Sequence, residues 1–184
     1  MNAWIGLGSN IGDGQAEIER AIDALSRHPD LELLRRSATY RTAPWGVEDQ
    51  PDFYNAVAEF RCRLEARALL RLLLDTEAGL GRQRDGRRRQ PRRIDLDLLL
   101  LQDRVYFLPG LVVPHPRMHR RAFVLAPLSE LQPDLVIPGR GTVGSCLEKL
   151  GPQRVERVSN GGGAENRRPE TEPNKAISGA KKKR

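Results

Sequence analysis

The chain has 184 residues and a mass of 20.7 kDa, a length that suits one ordinary domain with appendages. At 39% hydrophobic residues it can bury on the order of 70% of its unfolded surface without disulfide or metal staples. No apolar run approaches the ~18 residues that cross a bilayer and no charged-then-apolar segment opens the chain, so neither a membrane span nor classical secretion is expected.

The formal net charge of +7 invites a nucleic-acid function, but its distribution argues otherwise: Arg82–Arg93 carries net +6, residues 160–184 carry net +4, and everything else sums to −3. The two cysteines, Cys62 and Cys146, are far apart and lack metal-ligand spacing. Reduced thiols and a cytoplasmic location are expected.

In chain order, Trp4–Leu7 is a short apolar run closed by Gly8-Ser9-Asn10, which suits a buried strand. Ile18, Ala21, Ile22 and Leu25 recur at helical spacing between about Gln15 and Arg27, before Pro29. Residues 31–41 and 53–62 read as strands around a loop holding Pro44, Gly46 and Pro51. Leu69, Leu72, Leu73, Thr76 and Leu80 form a helical stripe stopped by Gly79 and Gly81, and Ile94–Leu101 is again strand-like.

The order β-α-β-β-α-β predicts an α+β, ferredoxin-like sandwich, an antiparallel sheet with two helices on one face. Residues 104–159 are expected to add short strands and helices, leaving the second face of the sheet free for a site. Residues 1–159 then form one domain. Residues 160–184, with Ile177 as the single large apolar side chain, are expected to be a disordered basic tail.

The strongest local signal is Ile94-Asp95-Leu96-Asp97-Leu98. On a strand Asp95 and Asp97 project together while the apolar residues point the other way. Paired carboxylates repel unless a cation sits between them, and hard oxygen ligands with room for water and phosphate oxygens suit Mg²⁺; a face paired with arginines is the structural alternative. The preceding arginines, Arg82 to Arg93, lie in a Gly- and Pro-containing segment too irregular for a helix. Guanidinium groups bind phosphate oxygens bidentately, so a mobile arginine loop beside metal-holding carboxylates provides the parts for nucleotide-dependent phosphoryl transfer. His115, fixed between Pro114 and Pro116 and followed by Arg121, is a further phosphate-contact candidate.

Other nucleotide-binding and hydrolytic signatures fail. Gly6-Leu7-Gly8-Ser9-Asn10-Ile11-Gly12 has GxGxxxG spacing, not GxGxxG; there is no GxxxxGK[ST] and no Ser/His/Asp nucleophile signature. A nucleotide would be gripped by side chains.

Gly8-Ser9-Asn10, Tyr40-Arg41-Thr42-Ala43-Pro44, Gln50-Pro51-Asp52-Phe53-Tyr54-Asn55, Gly81-Arg82-Gln83-Arg84, Pro91-Arg92-Arg93-Ile94-Asp95-Leu96-Asp97 and Val113-Pro114-His115 with Arg121 and Phe123 occur in this order over about residues 1–150. Together they resemble the 6-hydroxymethyl-7,8-dihydropterin pyrophosphokinase family, whose fold is the ferredoxin-like sandwich. The resemblance implies transfer of a diphosphoryl group from ATP to a pterin alcohol, with Asp95 and Asp97 as ligands of two Mg²⁺ ions and Arg82 and Arg92 as catalytic arginines.

It further implies nucleotide contacts from Glu77, Arg84, Arg88, Leu98, Leu111, His115 and Arg121, and a pterin pocket from Thr42, Ala43, Trp45, Gly46, Phe53, Asn55 and Phe123. Aromatic rings stack on a flat heterocycle, and the Asn55 amide reads its edge. Trp45, Arg89, Gln90 and Pro116 depart from the usual pattern and bear on how the loop closes over the pterin. The implied partners are ATP and 6-hydroxymethyl-7,8-dihydropterin, with no nucleic acid and no membrane, and a monomer is expected. The competing readings are a catalytically inactive relative and a ferredoxin-like RNA-binding module. Phe53-Tyr54-Asn55-Ala56-Val57-Ala58 lacks the RNP1 signature, and Asp95 and Asp97 would repel RNA phosphates.

Overall fold

A computed structural model describes residues 1–43, 51–82 and 92–158. The expected tail, residues 160–184, and most of the arginine loop lie outside the described residues. The elements are β1 (Asn2–Ser9), α1 (Gly14–Ser26), β2 (Leu31–Arg36), β3 (Tyr40–Thr42), β4 (Phe53–Cys62), α2 (Ala66–Gly79) and β5 (Asp95–Leu101). They are followed by β6 (Tyr106–Leu108), β7 (Leu111–Val113), a 3₁₀ turn at Met118–Arg120, α3 (Ala122–Leu131), β8 (Val136–Ile137), β9 (Gly141–Thr142), α4 (Val143–Glu148) and β10 (Val155–Arg157).

The main sheet runs β10-β3-β4-β1-β5, with β2 also on β4, and every pairing is antiparallel. With β2 and β3 taken as one broken strand, the order is second, third, first, fourth, and the α+β ferredoxin-like arrangement is the fold. Asp13 starts α1, its side chain accepting from Ala16 N at 3.1 Å. The buried stripes of α1 (Ile18, Ala21, Ile22, Leu25) and α2 (Ala66, Leu69, Leu73) pack against Ala3, Ile5, Leu7, Ala56, Ala58, Phe60, Leu96 and Leu98. Period-2 alternation on the strands and 3.6-residue spacing on the helices thus close one core.

Two expectations change. Residues 31–41 are two strands, because at Ser37 the side chain takes over the ladder: Ser37 N donates to Val57 O at 2.9 Å, while Val57 N donates to Ser37 Oγ at 3.0 Å instead of to a backbone carbonyl. The second face of the sheet is largely covered. Trp4, Val57, Leu99 and Leu100 form a second core with Met118 and with Val124, Leu125 and Leu128 of α3, and α4 closes it through Val143 and Cys146. This second core does not extend to Gly8, Asp95 or Asp97, which are half-buried at the C-terminal end of β1 and the start of β5. Both cysteines are free and buried, and no helix among the described residues is long and apolar enough to cross a membrane.

Candidate active site

β5 begins beyond the reach of the second core. Leu96 and Leu98 fill the first core, so Asp95 and Asp97 stand on the opposite face. β1 runs between β5 and β4, with Gly8 opposite both Asp95 and Asn55, and Gly6 opposite both Asp97 and Val57. Bare backbone therefore floors the space between the carboxylates and Asn55. A Cβ at Gly8 would lie 3.3 Å from Asn55 Oδ1, and one at Gly6 would lie 3.3 Å from the Leu99 side chain.

Three arginines converge on the carboxylates. Arg82, one residue past Gly81, hydrogen bonds to both Glu77 and Asp95. Arg92 Nη1 donates to Asp95 Oδ2 at 2.6 Å, while its Nε is buried and has no hydrogen-bond partner among the described residues. The Arg92 backbone is fixed on both sides by Asn10: Asn10 N donates to Arg92 O at 3.1 Å, and Arg92 N donates to Asn10 Oδ1 at 2.8 Å. Arg121, from the connection entering α3, brings Nη1 to 3.9 Å from Asp97 Oδ2 and lies 5.4 Å from the centre of the Phe123 ring. Glu77 faces inward as its helical position predicts, is 1% exposed, and accepts from Leu96 N at 2.7 Å.

The electrostatics follow from this crowding. Burial, then the neighbouring Asp95 charge, pushes the Asp97 carboxyl up to about 6, against the pull of Arg121 and Arg92. Burial, then Arg121 and Arg117, pushes His115 down to about 4. Its imidazole is therefore neutral near pH 7, consistent with Nδ1 accepting from Arg117 N at 3.3 Å, and His115 N donates to Leu99 O at 2.9 Å, tethering the residue to β5.

The residues of β3 and β4 expected at a pterin pocket are adjacent. Thr42 pairs with Phe53 across the two strands, and Asn55 Nδ2 donates to Thr42 Oγ1 at 3.0 Å, with both Thr42 and Asn55 buried. Ala43 follows β3 directly. Trp45, Gly46, Arg84 and Arg88, with Arg89 and Gln90, lie outside the described residues. Leu98 and Leu111 have their side chains in the first core, apart from the polar cluster.

Sequence reasoning gives Gly6 no role beyond a failed nucleotide motif and Gly8 none beyond that, a turn and a family motif, although their alternation on β1 is signal enough for a sheet face without side chains. It also gave Asn10 no role in holding Arg92, a contact between residues 82 apart that no local pattern encodes.

The carboxylate pair fits a divalent cation. Two hard oxygen donors share a face, one of them held well above the ordinary carboxylate range by burial and then by the other's charge. No group of three or more His, Cys, Asp and Glu converges among the described residues, so further coordination would fall to water or phosphate oxygens, as Mg²⁺ accepts.

The profile of the 7,8-dihydro-6-hydroxymethylpterin-pyrophosphokinase (HPPK) family matches residues 4–133. The chain is 46% identical over 156 residues to the 2-amino-4-hydroxy-6-hydroxymethyldihydropteridine pyrophosphokinase of Methylorubrum extorquens, covering 85% of this chain and 98% of that one. It is 43% identical over 158 residues to the protein of the same name from Pseudomonas aeruginosa, covering 86% and 97%. Among solved structures, wild-type Plasmodium falciparum HPPK-DHPS with pteroate superposes with a TM-score of 0.66 at 13% identity. That match covers 80% of this chain and 44% of the other, so the chain spans less than half of that longer protein and shares its fold. On the profile match and on identities that run through nearly the whole of both bacterial relatives, the chain belongs to the 7,8-dihydro-6-hydroxymethylpterin-pyrophosphokinase family, with the pyrophosphokinase activity of folate biosynthesis.

Proposed function

We propose that the cluster on β5 is where this reaction runs, with ATP as diphosphoryl donor and 6-hydroxymethyl-7,8-dihydropterin as acceptor. The observation that carries the reading is that Asp95 and Asp97 share a face of β5 over a glycine floor, ringed by Arg82, Arg92 and Arg121. The Asn55–Thr42 pair lies on the other side of Gly8.

Asp95 and Asp97 would hold Mg²⁺, two ions in our reading. When bound, the metal neutralises the triphosphate and stabilises charge on the reacting oxygens. Asn55, with one donor and one acceptor edge, orients the pterin, and Phe53 and Phe123 supply aromatic faces for it. The pterin hydroxymethyl oxygen forms a bond to the β-phosphorus, its proton is released, and the bond from that phosphorus to the oxygen bridging it to the α-phosphorus breaks, so that AMP departs with the electron pair.

Arg92, tied through its backbone to Asn10, keeps a fixed guanidinium at the charge that develops. Arg82 does the same from the Glu77 side, and Arg121 carries charge toward Asp97. His115, neutral, offers a hydrogen bond and not a charge, with Arg84 and Arg88 completing the nucleotide contacts and Ala43, Trp45 and Gly46 the pterin wall; the core side chains of Leu98 and Leu111 take no part. We place the enzyme in the cytoplasm as a monomer, with no nucleic-acid partner.

The test is release of AMP from MgATP by the full chain. It is expected only when 6-hydroxymethyl-7,8-dihydropterin is present; release independent of the pterin, or none with it, contradicts the reading.

A further inference from the structure

We infer that residues 153–158, which no motif singles out, form a strap that joins two walls of the pterin pocket, and that Gln153 is a positioning residue for Arg121 and Phe123. The inference rests on the reading that Phe123 and Thr42 border the pterin.

The helix α3 starts without a side-chain cap of its own, since its N-cap residue is Arg121. The first amide, Ala122 N, instead donates to Gln153 Oε1 at 3.0 Å, from a residue 31 positions away, and Gln153 Nε2 returns a bond to Arg120 O at 3.4 Å. One amide side chain therefore holds the backbone on both sides of Arg121. A helix amide left without a partner costs stability or is satisfied by rearranging the first turn. In that turn Arg121 and Phe123 lie against each other, 5.4 Å from guanidinium carbon to ring centre.

The same segment then becomes β10 and adds to the edge of the sheet beside β3, pairing Val155 with Thr42, Glu156 with Arg41 and Arg157 with Tyr40. Val158 N extends the ladder to Thr39 O at 2.8 Å, and Arg157 reaches Glu130 of α3 at 3.4 Å. Thr42 in turn receives the Asn55 amide. The path from Phe123 through Gln153 and Val155 to Thr42 and Asn55 is continuous, so the strap sets the separation between the aromatic face and the amide that reads the heterocycle.

Steady-state kinetics on Gln153→Met, which keeps the stem and removes the acceptor, tests this. The pterin KM at saturating MgATP is expected to rise about 5- to 10-fold, the scale of one lost hydrogen bond, and Gln153→Glu, which restores an acceptor for Ala122 N, is expected to recover most of that loss. A chain ended after Val158 should retain the wild-type pterin KM, and one ended after Pro152 should show a rise at least as large as Gln153→Met. A lower thermal midpoint with unchanged KM and kcat in Gln153→Met means the contact is only structural and overturns the inference. Phe123→Ala separates the two levels: an unchanged pterin KM there overturns the pocket itself, whereas a raised KM there beside an unchanged Gln153→Met overturns the strap alone.

Discussion

Gly8 lies directly across from Asn55, and the missing side chain is what lets the Asn55 amide stand over the sheet: a Cβ on residue 8 would meet Asn55 Oδ1 at 3.3 Å. That is tighter than ordinary van der Waals contact, so Asn55 would have to give by a few tenths of an ångström and its bond to Thr42 Oγ1 would shift with it. Gly8→Ala is expected to raise the pterin KM several-fold while leaving the KM for ATP within about twofold, since a misaligned hydrogen bond is worth about 1 kcal/mol. Initial-rate measurements with each substrate varied in turn check this.

Arg92 is held from two directions, by Asn10 on its backbone and Asp95 on its guanidinium. Arg92→Ala should lower kcat by at least ~10²-fold, the scale for one lost preorganised charge-stabilising donor. Asn10→Ala, which removes the acceptor of Arg92 N but keeps the backbone bond to Arg92 O and the guanidinium, should lower kcat by a smaller factor. Single-turnover rates of the two variants decide it, and the reverse ranking would mean that the backbone anchor, not the guanidinium, matters to the chemistry.

The Asp97 carboxylate opposes stability in the metal-free protein. The Asp97 carboxyl is pushed up to about 6 by burial and by Asp95, so at pH 7 its charged form is disfavoured relative to the unfolded chain. Asp97→Asn is expected to keep or raise the thermal midpoint in EDTA while removing most activity. Thermal melts with chelator present, alongside kcat in saturating Mg²⁺, separate the two effects.

His115 gives the pH dependence. Its folded pKa is pushed down to about 4, below the ~6.5 of an unfolded histidine, so between those values the unfolded chain binds more protons. The contribution of His115 is present above about pH 6.5 and is lost as the pH falls toward 4. His115→Asn, with an oxygen acceptor in place of Nδ1 and no charge to gain, is expected to flatten the fall in midpoint across that window. An equally steep fall in the variant would assign it to other groups.

Much of this arrangement could be read from residue order, for reasons that are local. Alternation along Ile94–Leu98 places two aspartates on one face whatever the rest of the fold does, and the stripes of α1 and α2 needed only their own spacing. What could not be read depends on distant pairing. Ser37 breaks the second strand because its hydroxyl meets Val57 N, 20 residues on, and Gln153 caps a helix that starts 31 residues earlier. The covered second face is a different case: Ala122-Phe123-Val124-Leu125-Ala126-Pro127-Leu128 is apolar nearly all round, the mark of a helix enclosed on more than one side, and that cue pointed to a second core.

If Asp95 and Asp97 hold the metal on which diphosphoryl transfer depends, kcat of Asp95→Ala and Asp97→Ala measured against Mg²⁺ concentration will show it. Each variant is expected to lose most of its activity and not to recover it in saturating Mg²⁺, with circular dichroism and thermal melting showing that the fold survives. Retention of more than about a tenth of the wild-type kcat by both variants would contradict the assignment and place the metal elsewhere.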